Sequence, residues 1–141
     1  MSIDHSFSII SSIELKCPDD YIVEGRNILR RGDAIMFNST NHGAIAKANI
    51  FYGPYWTLSP GVYLFGFNGE LDGELKVDFA CQEGVVVLKT LTIDNFLDPV
   101  CLAVIKTSPK FEVRGFKTPA LNVLKLNSIS VETISFPLSL A

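Results

Sequence analysis

The residues whose types and spacing could do chemistry lie near the Gly-Pro of the segment "FYGPYW". Tyr52 and Tyr55 flank this dipeptide and Trp56 follows it. Aromatic rings bind the apolar C–H faces of sugars by dispersion, while neighbouring polar groups hold the hydroxyls. The loop-like segment "NSTNHGA" supplies such polar groups in Asn41 and His42. These five residues form the predicted ligand-binding set.

The same rings could instead fill a β-corner. Trp and Tyr readily occupy such places, and the alternation in "YWTL" favours packing for Trp56. Tyr52 and Tyr55 are next to a turn and are expected to be exposed. The aromatic cluster therefore divides into a packing residue and two surface residues.

Four carboxylates follow the aromatic cluster in sequence: Glu70, Asp72, Glu74 and Asp78. Paired carboxylates could hydrolyse a glycoside or hold calcium. However, Glu74 and Asp78 alternate with apolar residues as solvated strand positions do, and Asp72 precedes a glycine as in a turn. The pattern favours a structural role for these acids.

Catalytic and metal motifs are missing from the sequence. There is no G-x-S-x-G segment and no glycine-rich phosphate loop. The chain has only two histidines, and its three cysteines, Cys17, Cys81 and Cys101, form no C-x-x-C pair. We therefore predict no enzyme activity, no catalytic residues, no metal site and free thiols.

Composition narrows the class of protein. The chain has 141 residues, a net charge of −3, 48% hydrophobic residues and 19% charged residues. These values predict one globular domain over 1–141 and argue against nucleic-acid binding, which needs a basic face. No apolar run is long enough for a membrane span. The N-terminus lacks a signal-peptide pattern, which predicts a cytoplasmic protein and leaves export without a cleavable signal open.

Short runs rich in Val, Ile, Phe, Tyr and Thr recur along the chain, separated by Gly, Pro, Asn or Asp. No long segment has helical spacing, so the pattern predicts an all-β fold, an antiparallel β-sandwich of jelly-roll type. Strands are expected at 6–16, 21–29, 34–37, 46–52, 55–58, 62–68, 74–81, 85–94, 100–107, 111–116 and 121–132.

Local patterns refine this prediction. In "ELKVDFAC", Leu75, Val77 and Phe79 share one face of a half-buried strand. The segment "QEG" predicts a hairpin turn, and "SPG", "FNGELDG" and "TSPK" predict further turns. In the last strand the alternation changes phase near Asn127, which indicates a β-bulge.

The motifs "YGPYWTLSPGVYLFGF", "GELKVDFACQEGVVVLKTLTI" and "FEVRGFKTPALNVLKLNSISVE" together resemble a family of β-sandwich domains. These domains accompany bacterial glycosyltransferases and polysaccharide enzymes, and are similar to jelly-roll carbohydrate-binding modules of the galactose-binding-like class. The resemblance is strongest over 49–132. It implies ligand contacts in variable loops, and it also implies a structural calcium site, for which Asp33, Asp94, Asp98 and Glu132 are candidates.

Three functional hypotheses remain. The first is a non-catalytic module that binds a glycan or polysaccharide. The second is a structural or oligomerisation domain, for which the apolar tail "SFPLSLA" could supply a homo-oligomer contact. The third is an enzyme that uses the carboxylates between Glu70 and Asp78. No partner base or nucleophile in the sequence can be paired with these carboxylates.

Overall fold

A computed structural model of the chain describes residues 8–17, 22–23, 29–31, 34–39 and 49–135. Their strands are β1 (Ser8–Lys16), β2 (Ile22–Val23), β3 (Leu29–Arg31), β4 (Ala34–Asn38), β5 (Asn49–Tyr52), β6 (Pro54–Leu58), β7 (Gly61–Asp72), β8 (Leu75–Cys81), β9 (Val86–Ile93), β10 (Val100–Val104), β11 (Ser108–Lys117) and β12 (Val123–Ser135).

The strands form two antiparallel sheets. The first sheet has the order β10-β7-β12-β4-β3, and β1 pairs with the second half of β12. The second sheet has the order β2-β5-β11-β8-β9, and β6 also pairs with β11. Successive strands cross between the sheets, as at β6–β7 and β7–β8, so neighbours in sequence are not always neighbours in a sheet. The predicted all-β sandwich is confirmed.

The core lies between the two sheets and is rich in aromatic rings. Phe65 from the first sheet meets Phe79 and Phe111 from the second, with ring centroids 4.9 and 5.8 Å apart. Leu75, Val77 and Phe79 are all fully buried on one face of β8, as the alternation predicts. Burying each such large apolar side chain contributes about 1.5–3 kcal/mol. This continuous core fixes which residues face outward.

A β-bulge bends β12 at the predicted place. The register of β12 against β7 shifts between Leu126 and Ser128, so Asn127 is the extra residue. Gly69 lies opposite, with a φ of 152°, and a Cβ there would be 1.9 Å from the carbonyl oxygen of Lys125. Only glycine permits this close approach of two backbones.

The predicted connections have different outcomes. The hairpin at "QEG" is confirmed, because it joins β8 to β9, and the amide of Gly84 donates to the carbonyl of Cys81 at 3.1 Å. The turn expected within "FNGELDG" lies at its Gly73 end, where φ is 100° and the chain passes from β7 to β8. Its Asn68-Gly69 part is not a turn, because β7 continues through it to Asp72 and uses the glycine in the bulge. Likewise, "TSPK" overlaps the beginning of β11. The predicted strand over 21–29 and the tail over 136–141 lie largely or wholly outside the described residues.

Candidate functional site

The centre of the candidate site is a pair of residues on the outer face of β11. Phe111 and Val113 are fully buried in the core, so Glu112 and Arg114 face out of the sandwich by alternation. An outward position on a sheet is normally solvated. Glu112 is nevertheless only 4% exposed, because β6 and the β8–β9 turn lie beside it.

Arg114 is held by an acid on the adjacent strand. Asp78 of β8 is its direct cross-strand partner, and the guanidinium donates from Nε to Oδ1 and from Nη2 to Oδ2, both at 2.7 Å. This hydrogen-bonded pairing with Asp78 is the main cause that raises the pKa of Arg114. Arg114 also lies over the ring of Phe116, 5.4 Å from its centroid. The guanidinium is therefore fixed in one orientation.

A cleft of about 540 Å³ opens beside this pair, and its lining residues are Tyr55, Glu83, Lys110 and Glu112. We call it the Glu112 cleft. Tyr55 comes from β6 and Glu83 from the β8–β9 turn, while Lys110 and Glu112 belong to β11. Lys110 forms an ion pair with Glu83, and its hydrogen bond and positive charge lower the pKa of Glu83. Three separate elements thus meet at one site.

The backbone around the Glu112 cleft adopts unusual conformations. Tyr55, Glu83 and Lys110 have φ values of 66°, 59° and 50°, and the neighbouring Gln82 has 54°. In the described part of the chain, these four are the non-glycine residues with positive φ. Such conformations each cost about 1–3 kcal/mol and cluster at functional sites. Their concentration at one cleft distinguishes it from the rest of the described surface.

Glu112 is the least satisfied group in the cleft. Within the described residues, no hydrogen bond or ion pair reaches its carboxylate, although Arg114 and Asp78 both contribute to its electrostatic environment. Burial is the largest effect and raises the pKa of Glu112, against the attraction of Arg114. Leaving a buried acceptor without a donor is costly, so the site can accept a hydrogen bond from outside.

The predicted aromatic residues take different positions. Tyr55 is 41% exposed, and its ring stands edge-on to the half-buried Tyr52, with centroids 6.1 Å apart and planes at 78°. Trp56 pairs with Phe111 and packs against the core, on the other face of the sheet from Glu112. Asn41 and His42 lie outside the described residues. The structure therefore brings Tyr52 and Tyr55 together and separates Trp56 from them.

The charged groups that accompany Tyr55 are not evident from the sequence. Asp78 was expected to be solvated, but it is 5% exposed because Arg114 and the sheet cover it. Glu112, Arg114, Lys110 and Glu83 were not singled out. A signal did exist, since charged residues alternate with apolar ones in "FEVR", but nothing local shows that the outward positions are covered.

The other candidate acids that the structure describes are not gathered at one place. Glu70, Asp72 and Glu74 are exposed. Asp94 and Asp98 line another cleft, of about 320 Å³, between the edges of β9 and β10. Across the described residues, no group of three or more His, Cys, Asp or Glu side chains could hold a metal ion. Asp33, another calcium candidate, lies outside them. Cys17, Cys81 and Cys101 are free thiols, as predicted.

Comparison with known proteins gives one informative match. No protein-family model and no curated protein matches the chain. Among solved structures, it is similar to the C-terminal CBM6 of LamC, a marine laminarinase from Zobellia galactanivorans, with a TM-score of 0.54. The chain has a CBM6-like fold. The alignment covers 86% of this chain and 99% of that one at 14% identity.

This match confirms the resemblance to a jelly-roll carbohydrate-binding module at the level of the fold. CBM6 denotes a non-catalytic carbohydrate-binding module. At 14% identity no residue role carries over from the CBM6 structure, and the roles of the site residues rest on the geometry of this chain alone. In the part of the chain that the structure describes, no helix is long and apolar enough to cross a membrane.

Proposed function

We propose that this chain is a non-catalytic carbohydrate-binding module and that the Glu112 cleft is its glycan site. The observation that carries the proposal is the meeting of an exposed ring, Tyr55, with a buried carboxylate, Glu112, that no described group satisfies. Concave sites with an apolar wall and a few converging polar groups are typical of ligand sites. The CBM6-like fold supports the same class of ligand.

Each group in the cleft has a role in this proposal. The ring of Tyr55 stacks on the C–H face of a sugar, and Tyr52 supports it edge-on. Glu112 accepts hydrogen bonds from hydroxyls at the floor. Lys110 and Glu83 form an exposed ion pair at the rim. The strained backbone at Tyr55, Glu83 and Lys110 holds these groups in place before a ligand arrives.

The same geometry argues for binding without turnover. Glycoside hydrolysis needs two carboxyl groups placed on either side of the scissile bond. Beside Glu112, the nearby carboxylates of the described chain are Asp78 and Glu83. Asp78 is engaged by both guanidinium nitrogens of Arg114, and Glu83 is engaged by Lys110. Among the described residues, Glu112 therefore lacks a second free carboxylate with which to form a catalytic pair.

Isothermal titration calorimetry with a panel of oligosaccharides tests this function. The panel includes laminarin-derived, mannan-derived and xylan-derived oligomers, with a reducing-end assay in parallel. We expect binding in the micromolar to millimolar range to at least one oligomer and no release of reducing ends. Tyr55→Ala should weaken binding by at least about tenfold, which is 1.4 kcal/mol. Leu97→Ala, at an 88% exposed side chain in the β9–β10 connection, is the control. Lack of binding across the panel, or hydrolysis, contradicts the proposal.

A specific observation favours a second candidate function, association through β1. Among the described strands, β1 pairs only with β12, and its Ile9, Ile10 and Ile13 are 53%, 64% and 51% exposed. No charged residue interrupts Ser8–Ile13, although charges commonly protect edge strands. Sedimentation of the wild type and of Ile10→Lys tests this: a dimer that dissociates in the variant supports an oligomerisation domain, and a monomeric wild type contradicts it.

A further inference from the structure

Resting on the proposed glycan site, we infer that the Glu112 cleft selects sugars without negative charge, which donate two adjacent hydrogen bonds to the ionised Glu112 carboxylate. The expected donors are neighbouring hydroxyls of a neutral sugar, or a hydroxyl and an ammonium group of an amino sugar. Glycans that carry uronic acid or sulfate groups are rejected. Selection by charge can fail while the cleft still binds a glycan, so the two can be tested separately.

The arrangement of charge in the cleft is the first argument. Asp78 and Arg114 form a bidentate ion pair, and Glu83 and Lys110 form a second pair at the rim. These two pairs cancel, so the net charge of the described residues of the cleft is that of Glu112. An anionic sugar would meet a negative floor with little water to screen it.

The occupation of both cations is the second argument. Arg114 is the natural receptor for a carboxylate or sulfate, because its planar guanidinium binds such groups in a bidentate manner. Here Asp78 already receives that pair of hydrogen bonds at 2.7 Å. Lys110 is likewise directed to Glu83. An anionic ligand would have to break one of these pairs to gain a partner.

The third argument is the unsatisfied floor. An ionised carboxylate has two oxygens and accepts hydrogen bonds only. Glu112 is 4% exposed, and no described donor reaches it. Its Oε2 lies near the β8–β9 turn, since a Cβ at Gly84 would be 3.8 Å away. Two adjacent hydroxyls match the spacing of two carboxylate oxygens, so one sugar edge could satisfy the group at once.

A linkage to pH follows from the same contacts. The charged groups around Glu112 are Asp78 from β8, Arg114 and Lys110 from β11 and Glu83 from the β8–β9 turn, with the Tyr55 phenol from β6. Burial raises the pKa of Glu112, so the carboxylate protonates earlier than an ordinary glutamate as pH falls. Hydroxyl donors favour the ionised form. Sugar binding should therefore weaken on acidification, and binding at acid pH should release protons.

The test is calorimetry on the full chain with oligosaccharides matched in linkage and differing in charge. A β-1,4-mannan hexamer is compared with a β-1,4-mannuronan hexamer, and cello-oligosaccharides with their glucuronan counterparts. We expect each neutral oligomer that binds to do so at least about tenfold more tightly than its uronic partner. Glu112→Gln keeps the shape and should lose at least about tenfold in affinity for neutral sugars. Glu70→Gln, at an exposed acid of the first sheet, is the matched control.

The outcomes separate this inference from the proposed function. Equal binding of uronic and neutral oligomers, or full affinity in Glu112→Gln, overturns the selectivity and leaves the glycan site in place. A wild-type affinity for neutral sugars that does not change on acidification also overturns the selectivity. This measurement requires no variant. If no oligomer binds at any pH, the glycan site itself is wrong and the selectivity is rejected with it.

Discussion

The outer faces of the two sheets each carry a buried polar group, and the two groups differ in their hydrogen bonding. On the first sheet Ser128 is 6% exposed, and its hydroxyl donates to Glu14 at 3.0 Å and accepts from Asn68 at 2.9 Å. Asn68 also donates to Ser130 at 3.0 Å. We call these four residues the Asn68 cluster. On the second sheet, the equally buried Glu112 has no such partner among the described residues.

Under the proposed function, a buried polar group that holds strands together differs from one that serves a ligand. Buried polar groups in folded proteins are nearly always hydrogen-bonded, and a satisfied network stabilises one arrangement of strands. The Asn68 cluster does this by joining β1, β7 and β12. Under the proposed function, the unpaired carboxylate and the strained backbone of the Glu112 cleft are kept for a ligand at a cost in stability. The predictions below test whether the two faces differ in this way.

The largest expected effect comes from Arg114→Ala. It leaves Asp78 buried and without its bidentate partner, and breaking one side of such a pair costs about 3–5 kcal/mol. Asn68→Ala, its counterpart on the first sheet, removes only neutral donors and should cost about 1 kcal/mol. Urea unfolding of both variants measures the contrast. The double variant Asp78→Leu/Arg114→Met should recover most of the stability that Arg114→Ala loses. Equal losses in Arg114→Ala and Asn68→Ala would contradict the difference between the two faces.

The next effect compares a glycine from each face. Gly69→Ala places a Cβ 1.9 Å from the Lys125 carbonyl oxygen, and this backbone cannot move without loss of the bulge, so we expect a cost of about 2–3 kcal/mol. Gly84→Ala, at φ 84°, meets the Nη1 of Arg114 at 2.8 Å. Although Asp78 orients this guanidinium, the end of a long side chain yields more readily than backbone, so the cost should be about 1–2 kcal/mol. Thermal unfolding of both variants checks the order, and a larger loss at Gly84 would show that Arg114 is as rigid as backbone.

The third prediction concerns the sign of an effect. Ser128→Ala opens the satisfied cluster and should lower stability by about 1 kcal/mol. Glu112→Gln should raise stability at neutral pH, because it removes a buried charge. Since burial raises the folded-state pKa of Glu112, the native protein loses stability as pH rises through that pKa. The gain in Glu112→Gln should therefore vanish below the ordinary glutamate pKa. Unfolding curves of both variants across this pH range measure the sign of each effect. A loss of stability in Glu112→Gln at neutral pH would contradict the prediction.

Alternation determines much of this fold, and the sequence analysis could use it. The faces of β8 and the bulge at Asn127 follow from the period-two pattern and its change of phase. The continuation of β7 through Asn68-Gly69 could not be foreseen, because this dipeptide fits a hairpin turn equally well. What decides between them is the close approach of Lys125, a residue more than fifty positions away.

The candidate site was less accessible to sequence reasoning than the fold. The position of Tyr55 beside a turn predicted its exposure, and the structure has it 41% exposed. Glu112 looked like any outward strand residue between two apolar neighbours. Its burial depends on the β8–β9 turn and on β6, which approach β11 only in the folded chain. Charge pairing across strands, such as Asp78 with Arg114, likewise depends on a register that local patterns do not give.

The smallest effect is expected at the rim of the Glu112 cleft. Lys110→Ala breaks an ion pair whose side chains are 59% and 65% exposed, and exposed pairs contribute little to stability. The unfolding midpoint should therefore stay unchanged at neutral pH, while the pKa of Glu83 should rise because its hydrogen bond with Lys110 is lost. The native pair contributes its small share above the ordinary glutamate pKa and loses it as pH falls. Carbon-13 NMR titration of Glu83 in wild type and variant measures the shift. A large loss of stability in Lys110→Ala would mean that the rim, and not the floor, maintains the cleft.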